Sequence, residues 1–218
     1  MADALNSYGY SKYCVHGSHA LDVSEEEAQH YEAKLEAATD EKPLQGYLAL
    51  HPQLLAVEDS GECRWVIPQQ SLNGKFFPDF LVGRLDSPGL KWVLVELQSP
   101  RAQLFTQKGE PAAQLREGIN QIERWRRWLE NNLDEARRPP SLDGLGLIGI
   151  NHASRGLVLI GRSSDRNDEI RERLWQLTWR HQIAIRSYDW LAREARKRIR
   201  ERNDFGPGRC EECQRAAG

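Results

Sequence analysis

The chain has 218 residues, a formal net charge of −2, 39% hydrophobic residues and 28% charged residues, all within the range of soluble globular proteins. No apolar run approaches the roughly 18 residues of a membrane span, and the first residues lack the regions of a signal peptide. Four irregularly spaced cysteines are too few for a secreted disulfide scaffold, so we expect a cytoplasmic protein with no membrane partner.

Two helices are predicted before the first strand. Ser24 followed by Glu27 forms a capping-box pattern and predicts a helix over 24–37 with an acidic outer face. A second helical pattern covers 41–50. The residues before the first helix, 1–22, have no clear period, so we expect them to be irregular or loosely attached.

Three strand-forming runs follow, at 63–67, 76–83 and 91–98. Turn-forming residues separate them at 71–74 and 86–89. Because connections this short join antiparallel neighbours, we predict a three-stranded meander. The third run is apolar on both faces apart from its end, which is typical of a strand covered on both sides.

The rest of the chain alternates between helices and short strands. The strongest helix is predicted over 112–135, because its apolar residues follow the helical period. The further elements, in chain order, are strands at 145–150 and 156–161, a helix at 168–181, a strand at 183–185, a helix at 189–202 and a disordered tail from residue 203. This pattern predicts an α/β (α+β) fold with a mixed sheet flanked by helices.

The last predicted helix is rich in arginine, whereas the N-terminal part of the chain is acidic. Arg193, Arg196, Arg198 and Arg200 could neutralise the phosphates of a nucleic acid. The alternatives are a solvated, salt-bridged helix face and a contact between subunits.

Two carboxylates lie within otherwise apolar strand patterns. Asp79 follows Phe77-Pro78, and Glu96 ends the run Trp92-Val93-Leu94-Val95. An ionised carboxylate in a buried strand is costly unless a charged group satisfies it. Residues opposite or diagonal on antiparallel neighbours are within reach of one ion, and carboxylates are preferred ligands of magnesium and manganese. The sequence therefore predicts a divalent-metal site.

Two more polar residues join this hypothesis. Gln98 shares a strand face with Glu96, because side chains alternate along a strand, and its amide could hydrogen-bond a water or a phosphate oxygen. Glu41, at the start of its helix, could add a third carboxylate.

Each of these residues also has a purely structural interpretation. Asp79 could accept hydrogen bonds from backbone amides in a turn, and Glu96 could pair with Arg101. The helix dipole alone explains Glu41. Gln121, beside the apolar stripe of the predicted helix 112–135, could be an ordinary surface residue.

The ordered combination of these residues resembles the PD-(D/E)xK nucleases, and among them it is most similar to the nuclease domain of the Shedu anti-phage defence family. The resemblance covers roughly residues 41–191. It includes His51-Pro52-Gln53-Leu54-Leu55, Pro78-Asp79-Phe80-Leu81, Trp92-Val93-Leu94-Val95-Glu96-Leu97, Gln121-Ile122 with Trp125, and Ser187-Tyr188-Asp189-Trp190-Leu191.

The resemblance implies a role for each residue. Asp79 and Glu96 would be the main ligands of Mg²⁺ or Mn²⁺, with the Leu97 carbonyl nearby. Glu41 would orient a second ion or its water, and Gln121 would help to position the site or the DNA strand. The implied activity is metal-dependent hydrolysis of DNA phosphodiester bonds, by a protein that assembles into homo-oligomers.

The chain departs from the family pattern at Gln98, where a lysine is usual. Glutamine can orient the attacking water through a hydrogen bond, but it carries no charge to offset that of the phosphate. Two functions therefore stay open: a DNA endonuclease, and a nuclease-like module that binds nucleic acid or partners without cleaving.

The expected organisation is an N-terminal segment with an acidic helix (1–38), the nuclease-like domain (39–192) and an arginine-rich end with a flexible tail (193–218). Cys210-x-x-Cys213 in that tail is at most half of a zinc site, so we assign it no metal. No glycine-rich phosphate loop indicates a nucleotide cofactor.

Overall fold

The computed structural model describes residues 2–15, 23–56 and 63–205. The elements, in chain order, are helices α1 (Ala2–Leu5), α2 (Glu25–Ala37) and α3 (Lys42–Leu50), strands β1 (Cys63–Pro68), β2 (Phe80–Asp86) and β3 (Gly89–Leu97), helices α4 (Ala113–Asn131) and α5 (Leu133–Arg137), strand β4 (Arg155–Leu159), helix α6 (Asp168–His181), strand β5 (Ile183–Arg186) and helix α7 (Asp189–Phe205). None of the helices in these ranges combines the length and the hydropathy that a membrane span requires.

The five strands form one mixed sheet in the order β1-β2-β3-β4-β5. Strands β1 to β3 are antiparallel neighbours, which confirms the predicted meander. Strands β3, β4 and β5 run parallel to one another, because helices carry the chain back between them. The carboxyl ends of β3, β4 and β5 therefore lie at the same edge of the sheet.

Helices cover both faces of the sheet, as the predicted α/β class requires. One face packs against α4 and α6, in a core that includes Leu94, Ile122 and Leu174. The other face packs against α2, α3 and α7, in a core that includes Tyr31 and Val95. Alternation along β3 explains the division, because successive side chains of a strand point to opposite faces.

The predicted helices before the sheet are confirmed. The Ser24 hydroxyl accepts from the Glu27 amide at 3.1 Å, and the Glu27 carboxylate accepts from the Ser24 amide at 3.0 Å, so the capping box is complete. Helix α3 has Glu41 at its N-cap position without a side-chain capping bond. The Asp40 carboxylate accepts from the Lys42 amide instead, at 3.1 Å.

The predicted strand at 145–150 is wrong. This segment turns twice, with Gly146 and Gly149 at φ values of 69° and 77°, a backbone region that interrupts a strand and favours glycine. Its apolar residues Leu147 and Ile150 are nevertheless fully buried. The apolar composition reported burial correctly, but the glycines prevent the extended conformation.

The second strand begins at Phe80 and not at Phe76. The Leu72 amide donates to the Phe76 carbonyl at 2.8 Å, which closes a tight turn, and Pro78 has no amide hydrogen to continue the ladder.

The predicted helix 112–135 is also interrupted, at Asn132, which has a φ of −131° and a ψ of 31°.

The prediction of irregular or loosely attached residues is wrong for 2–15. Helix α1 (Ala2–Leu5) is followed by short helical turns at Asn6–Tyr10 and Ser11–Tyr13. Leu5 and Tyr10 are buried, and the Tyr10 hydroxyl donates to the Leu145 carbonyl at 2.6 Å. Helix α7 extends to Phe205, so predicted disorder is wrong for residues 203–205. The rest of the predicted tail, including Cys210 and Cys213, lies outside the described residues.

Two of the four arginines that were predicted to contact phosphates, Arg196 and Arg198, make tertiary contacts. Arg196 pairs with Glu25 at 2.9 Å and with Glu32 at 2.5 Å, both on α2. Arg198 donates to the Gln53 carbonyl at 2.9 Å. For these two arginines, contacts within the protein replace the predicted phosphate contacts. Arg193 and Arg200, in contrast, are exposed.

Candidate metal centre

Asp79 is held just before β2 by three hydrogen bonds. The Leu97 amide donates to Asp79 Oδ2 at 2.7 Å, and Gln45 Nε2 donates to Asp79 Oδ1. The Asp79 backbone carbonyl accepts from the Gln69 amide at 3.0 Å. The backbone hydrogen bond that the structural interpretation of Asp79 predicts is therefore present. A carboxylate has about four acceptor positions, so capacity for a cation is left.

Pro78 has a specific effect on β3. The ladder pairs Phe80 with Val95, and continuing this register places Pro78 opposite Leu97. The amide and carbonyl of one strand residue point to the same side, so the Leu97 carbonyl points towards Pro78, as its amide does towards Asp79. Pro78 has no N–H to donate. The ladder therefore offers no donor to the Leu97 carbonyl, beside the Asp79 carboxylate.

Glu96 is the last but one residue of β3 and is 5% exposed. The register places it opposite Asp79, and the two carboxyl groups are within hydrogen-bonding reach of each other. Gln98 Nε2 donates to Glu96 Oε1 at 3.2 Å. We call Asp79 and Glu96 the carboxylate pair.

Burial raises the pKa of both members of the carboxylate pair, and the charge of Asp79 raises that of Glu96 further. The two carboxyl groups also share a hydrogen bond, so the pair holds one proton between its members. Two carboxyl groups that are shielded from water and within hydrogen-bonding reach of each other cannot both ionise without a cation.

Arg101, the predicted alternative partner of Glu96, points elsewhere. Its guanidinium donates to the Ala38 carbonyl at 3.2 Å and to the Glu36 carbonyl at 2.6 Å, at the end of α2. Within the described part of the chain, neither member of the carboxylate pair forms an ion pair with lysine, arginine or histidine. The interpretation of Glu96 as a salt-bridge residue is therefore wrong.

Glu41 lies close enough for its charge to raise the pKa of Asp79. It is half-buried at the N-cap of α3, a position that the helix dipole also favours. Gln45, one turn later on the same helix face, was not predicted as a site residue. Its spacing of four residues from Glu41 is the signal that could have found it.

Gln98 is fixed by its backbone. Its carbonyl accepts from the Tyr188 hydroxyl at 2.8 Å, and its amide donates to the Leu159 carbonyl at 2.9 Å. Tyr188 is fully buried, and burial, followed by nearby negative charges that include the carboxylate pair, raises its pKa. Tyr188 therefore lies beneath the site, in a role that the sequence did not reveal.

Helix α4 approaches the site at Gly118. A Cβ added there would lie 3.0 Å from Val158 Cγ1 and 3.1 Å from Gln98 Cγ. A glycine inside a helix is destabilising by about 1 kcal/mol relative to alanine, and this close approach explains it. A glycine inside a helical pattern is the sequence signal that could have indicated this close approach.

Gln121 is one turn further along α4 and is half-buried. Among the described residues it makes no hydrogen bond with the carboxylate pair. Glu117, on the same side of α4, lies near enough for its charge to contribute to the raised pKa of Glu96. The structure thus brings together Asp79, Glu96, Leu97, Gln98 and Glu41, and the predicted role of Gln121 stays a prediction.

The donors fit a hard divalent cation. The described residues contain no group of three or more histidine, cysteine, aspartate or glutamate side chains arranged to hold a metal. Mg²⁺ is usually bound through only one or two carboxylates, several waters and the substrate's phosphates. The carboxylate pair and the Leu97 carbonyl supply an all-oxygen set of this kind.

One comparison with known proteins gives a match. A family model described as Shedu protein SduA, C-terminal, matches residues 38–192, which is more than half of the chain. No curated protein matches the sequence.

Proposed function

The chain belongs to the Shedu family, and on this basis we propose that it is a divalent-metal-dependent DNA endonuclease with a PD-(D/E)xK core. Membership of this family suggests a role in anti-phage defence. The observation that carries the proposal is the carboxylate pair: the buried Glu96 and the half-buried Asp79 face each other at the end of β3 and have no ion pair among the described residues.

The carboxylates and the Leu97 carbonyl would hold Mg²⁺ or Mn²⁺. Bound there, the cation would lower the pKa of water and offset the charge of the phosphodiester. Gln45 and the Leu97 amide fix the orientation of Asp79. Glu96 gives up its proton when the cation binds, since metal ligands must be deprotonated.

Gln98 would position the attacking water. Its amide nitrogen donates to Glu96, which leaves the amide oxygen to accept a hydrogen bond. In this role Gln98 would orient the water as a lysine would, but it would not supply the positive charge of a lysine. The expected consequence is slower cleavage than a lysine-containing site would give.

The first test uses supercoiled plasmid DNA. We expect the protein to nick it in Mg²⁺ or Mn²⁺. We expect this activity to be lost in EDTA, because no cation is then present to activate water or to offset the charge of the phosphodiester. Agarose gels measure the conversion of supercoiled to nicked DNA. Retention of DNA on a native gel without any nicking in either metal would contradict the proposal.

That contrary outcome would favour the second function, a module that binds nucleic acid without cleaving it. The observation that favours it is the neutral Gln98. The variant Gln98→Lys separates the two functions, since activity that appears only in this variant would indicate that glutamine disables the site.

Tyr188→Phe tests whether Gln98 must be positioned. The change removes the donor to the Gln98 carbonyl, and we expect the Mg²⁺ concentration for half-maximal nicking to rise about tenfold, as for other outer-shell changes at metal sites. A buried carbonyl without a donor also destabilises the fold by about 1–3 kcal/mol.

Tyr31→Phe is the matched control. It removes another buried hydroxyl, which donates to the Tyr188 carbonyl at 3.1 Å and not to Gln98. A similar shift in the Mg²⁺ dependence of both variants would assign Tyr188 a purely structural role.

A further inference from the structure

A polar cavity, separate from the carboxylate pair, opens at the carboxyl ends of β4 and β5. It has a volume of about 610 Å³ and lies between the loop before α6, the end of β5 and the first turns of α7. Its lining contains three serines, a tryptophan (Trp190) and four arginines: Arg166, Arg171, Arg186 and Arg193. No carboxylate lines it within the described residues. We call it the arginine pocket.

Arg166 is the least exposed arginine of the pocket and is half-buried. Its two terminal nitrogens donate to the Ile185 carbonyl at 3.1 Å and to the Ile160 carbonyl at 2.9 Å, which ties the guanidinium to the ends of both strands. Its Nε is buried and has no hydrogen-bond partner among the described residues. Because this nitrogen has almost no accessible surface, it cannot reach a ligand in the pocket, so Arg166 contributes its positive charge, held in place by the two carbonyls.

The positive charge of the arginine pocket is not neutralised locally. Burial lowers the pKa of Arg166 to about 10, followed in order by the charges of Arg186 and Arg193, which outweigh the opposing Asp189 and Asp165. Arg166 therefore remains a cation at neutral pH.

The nearby carboxylates have other partners. Asp189 pairs with Arg162 at 3.1 Å and accepts from the Ser163 amide at 2.7 Å. Asp168 pairs with Arg171 at 3.0 Å, but this aspartate is almost fully exposed. In the described chain, Arg186 and Arg193 form no ion pair. Arg186 lies over the Trp190 ring, 5.6 Å from its centre, and this contact holds its guanidinium at the cavity.

The arginine pocket is at the same edge of the sheet as the carboxylate pair. Ser187 lines the pocket, and the next residue, Tyr188, donates to the Gln98 carbonyl at 2.8 Å. Strands β3 and β5 are two positions apart in the sheet, a lateral spacing of about 10 Å. A nucleic-acid strand that crosses the carboxylate pair could therefore place another of its phosphates in the pocket.

We propose that the arginine pocket binds a phosphate group through Arg166, Arg186 and Arg193. Guanidinium groups match phosphate oxygens in charge and geometry, and the serine hydroxyls supply further donors. That the phosphate belongs to a nucleic-acid backbone rests on the proposed function. The binding of a phosphate group does not.

The test compares two double variants. Arg186→Ala with Arg193→Ala removes the exposed arginines of the pocket and keeps Arg166, which is needed at the strand ends. Arg127→Ala with Arg180→Ala is the matched control: it removes two exposed arginines of α4 and α6 that do not line the pocket. Unfolding curves of both double variants confirm that they fold.

Binding is measured in EDTA, so that cleavage plays no part. Inorganic phosphate is titrated by calorimetry, and a fluorescent duplex DNA is titrated at several salt concentrations. We expect the pocket variant to bind phosphate about tenfold more weakly than the control, since a hydrogen bond to a charged group supports about that factor. The slope of log affinity for DNA against log salt should fall by about 2.

Weaker binding of both inorganic phosphate and duplex DNA by the pocket variant would support a pocket for backbone phosphates. Weaker phosphate binding with unchanged DNA binding would support the same pocket with a free phosphate compound as its ligand. Equal phosphate binding by the pocket variant and the control would overturn the proposal, whatever the nuclease assays give.

Discussion

Glu96→Gln is expected to abolish DNA nicking and, at the same time, to make the metal-free protein more stable at neutral and alkaline pH. Glutamine keeps the size of the side chain and its hydrogen bonds, but it cannot give a metal an anionic ligand. Charge stabilisation by the metal is worth several kcal/mol and 1.36 kcal/mol is a factor of ten, so we expect a loss of about a thousandfold or more.

The stability effect follows from the raised pKa of Glu96. Below its ordinary pKa of 4.5, Glu96 is protonated in both the folded and the unfolded chain, and its contribution to stability is fully present. As the pH rises from this value towards the raised folded-state pKa, the unfolded chain has lost the proton that the folded chain keeps, so stability falls until the folded chain loses the proton too. Glutamine removes this fall, with an expected gain on the order of 2 kcal/mol at pH 8.

The measurements are plasmid nicking in Mg²⁺ and urea unfolding in EDTA at pH 5 and pH 8. Glu130→Gln is the control, because it removes an exposed glutamate of α4 and should change neither quantity. Nicking by Glu96→Gln at the wild-type rate would exclude Glu96 as a metal ligand. An identical pH dependence of stability in wild type and variant would exclude the shared proton.

Gly118→Val is expected to destabilise the fold by about 2–3 kcal/mol, in the range of overpacked cores, and to reduce nicking as well. The first added carbon would already lie 3.0 Å from Val158 and 3.1 Å from Gln98, and valine adds two methyl groups beyond it. Helix α4 must therefore move away from the sheet, or Gln98 must move from its position beside Glu96.

Gly46→Val is the matched control on α3. An added Cβ at Gly46 meets nothing within 4 Å, so we expect no overpacking there and only the small difference in helix propensity. Urea unfolding and plasmid nicking of both variants give the comparison. If Gly118→Val is as stable and as active as Gly46→Val, then α4 does not hold Gln98 in place.

The elements that the sequence predicted correctly are those with local causes. The capping box of Ser24 and Glu27 sets the start of α2, and the two-residue turn between β2 and β3 makes them antiparallel. Where local signals conflicted, the prediction was wrong. In 145–150 the apolar residues indicated a strand, but Gly146 and Gly149 turn the chain.

For the site, the sequence alone predicted its main members: strand alternation and a short turn allow the two carboxylates to sit across from or diagonal to each other. Only the tertiary structure decided how they behave. Burial and the nearby charge of Asp79 raise the pKa of Glu96, Tyr188 holds Gln98 from 90 residues away, and Arg101 caps α2 instead of neutralising Glu96. Such contacts depend on distances between segments remote in the chain, which no local periodicity encodes.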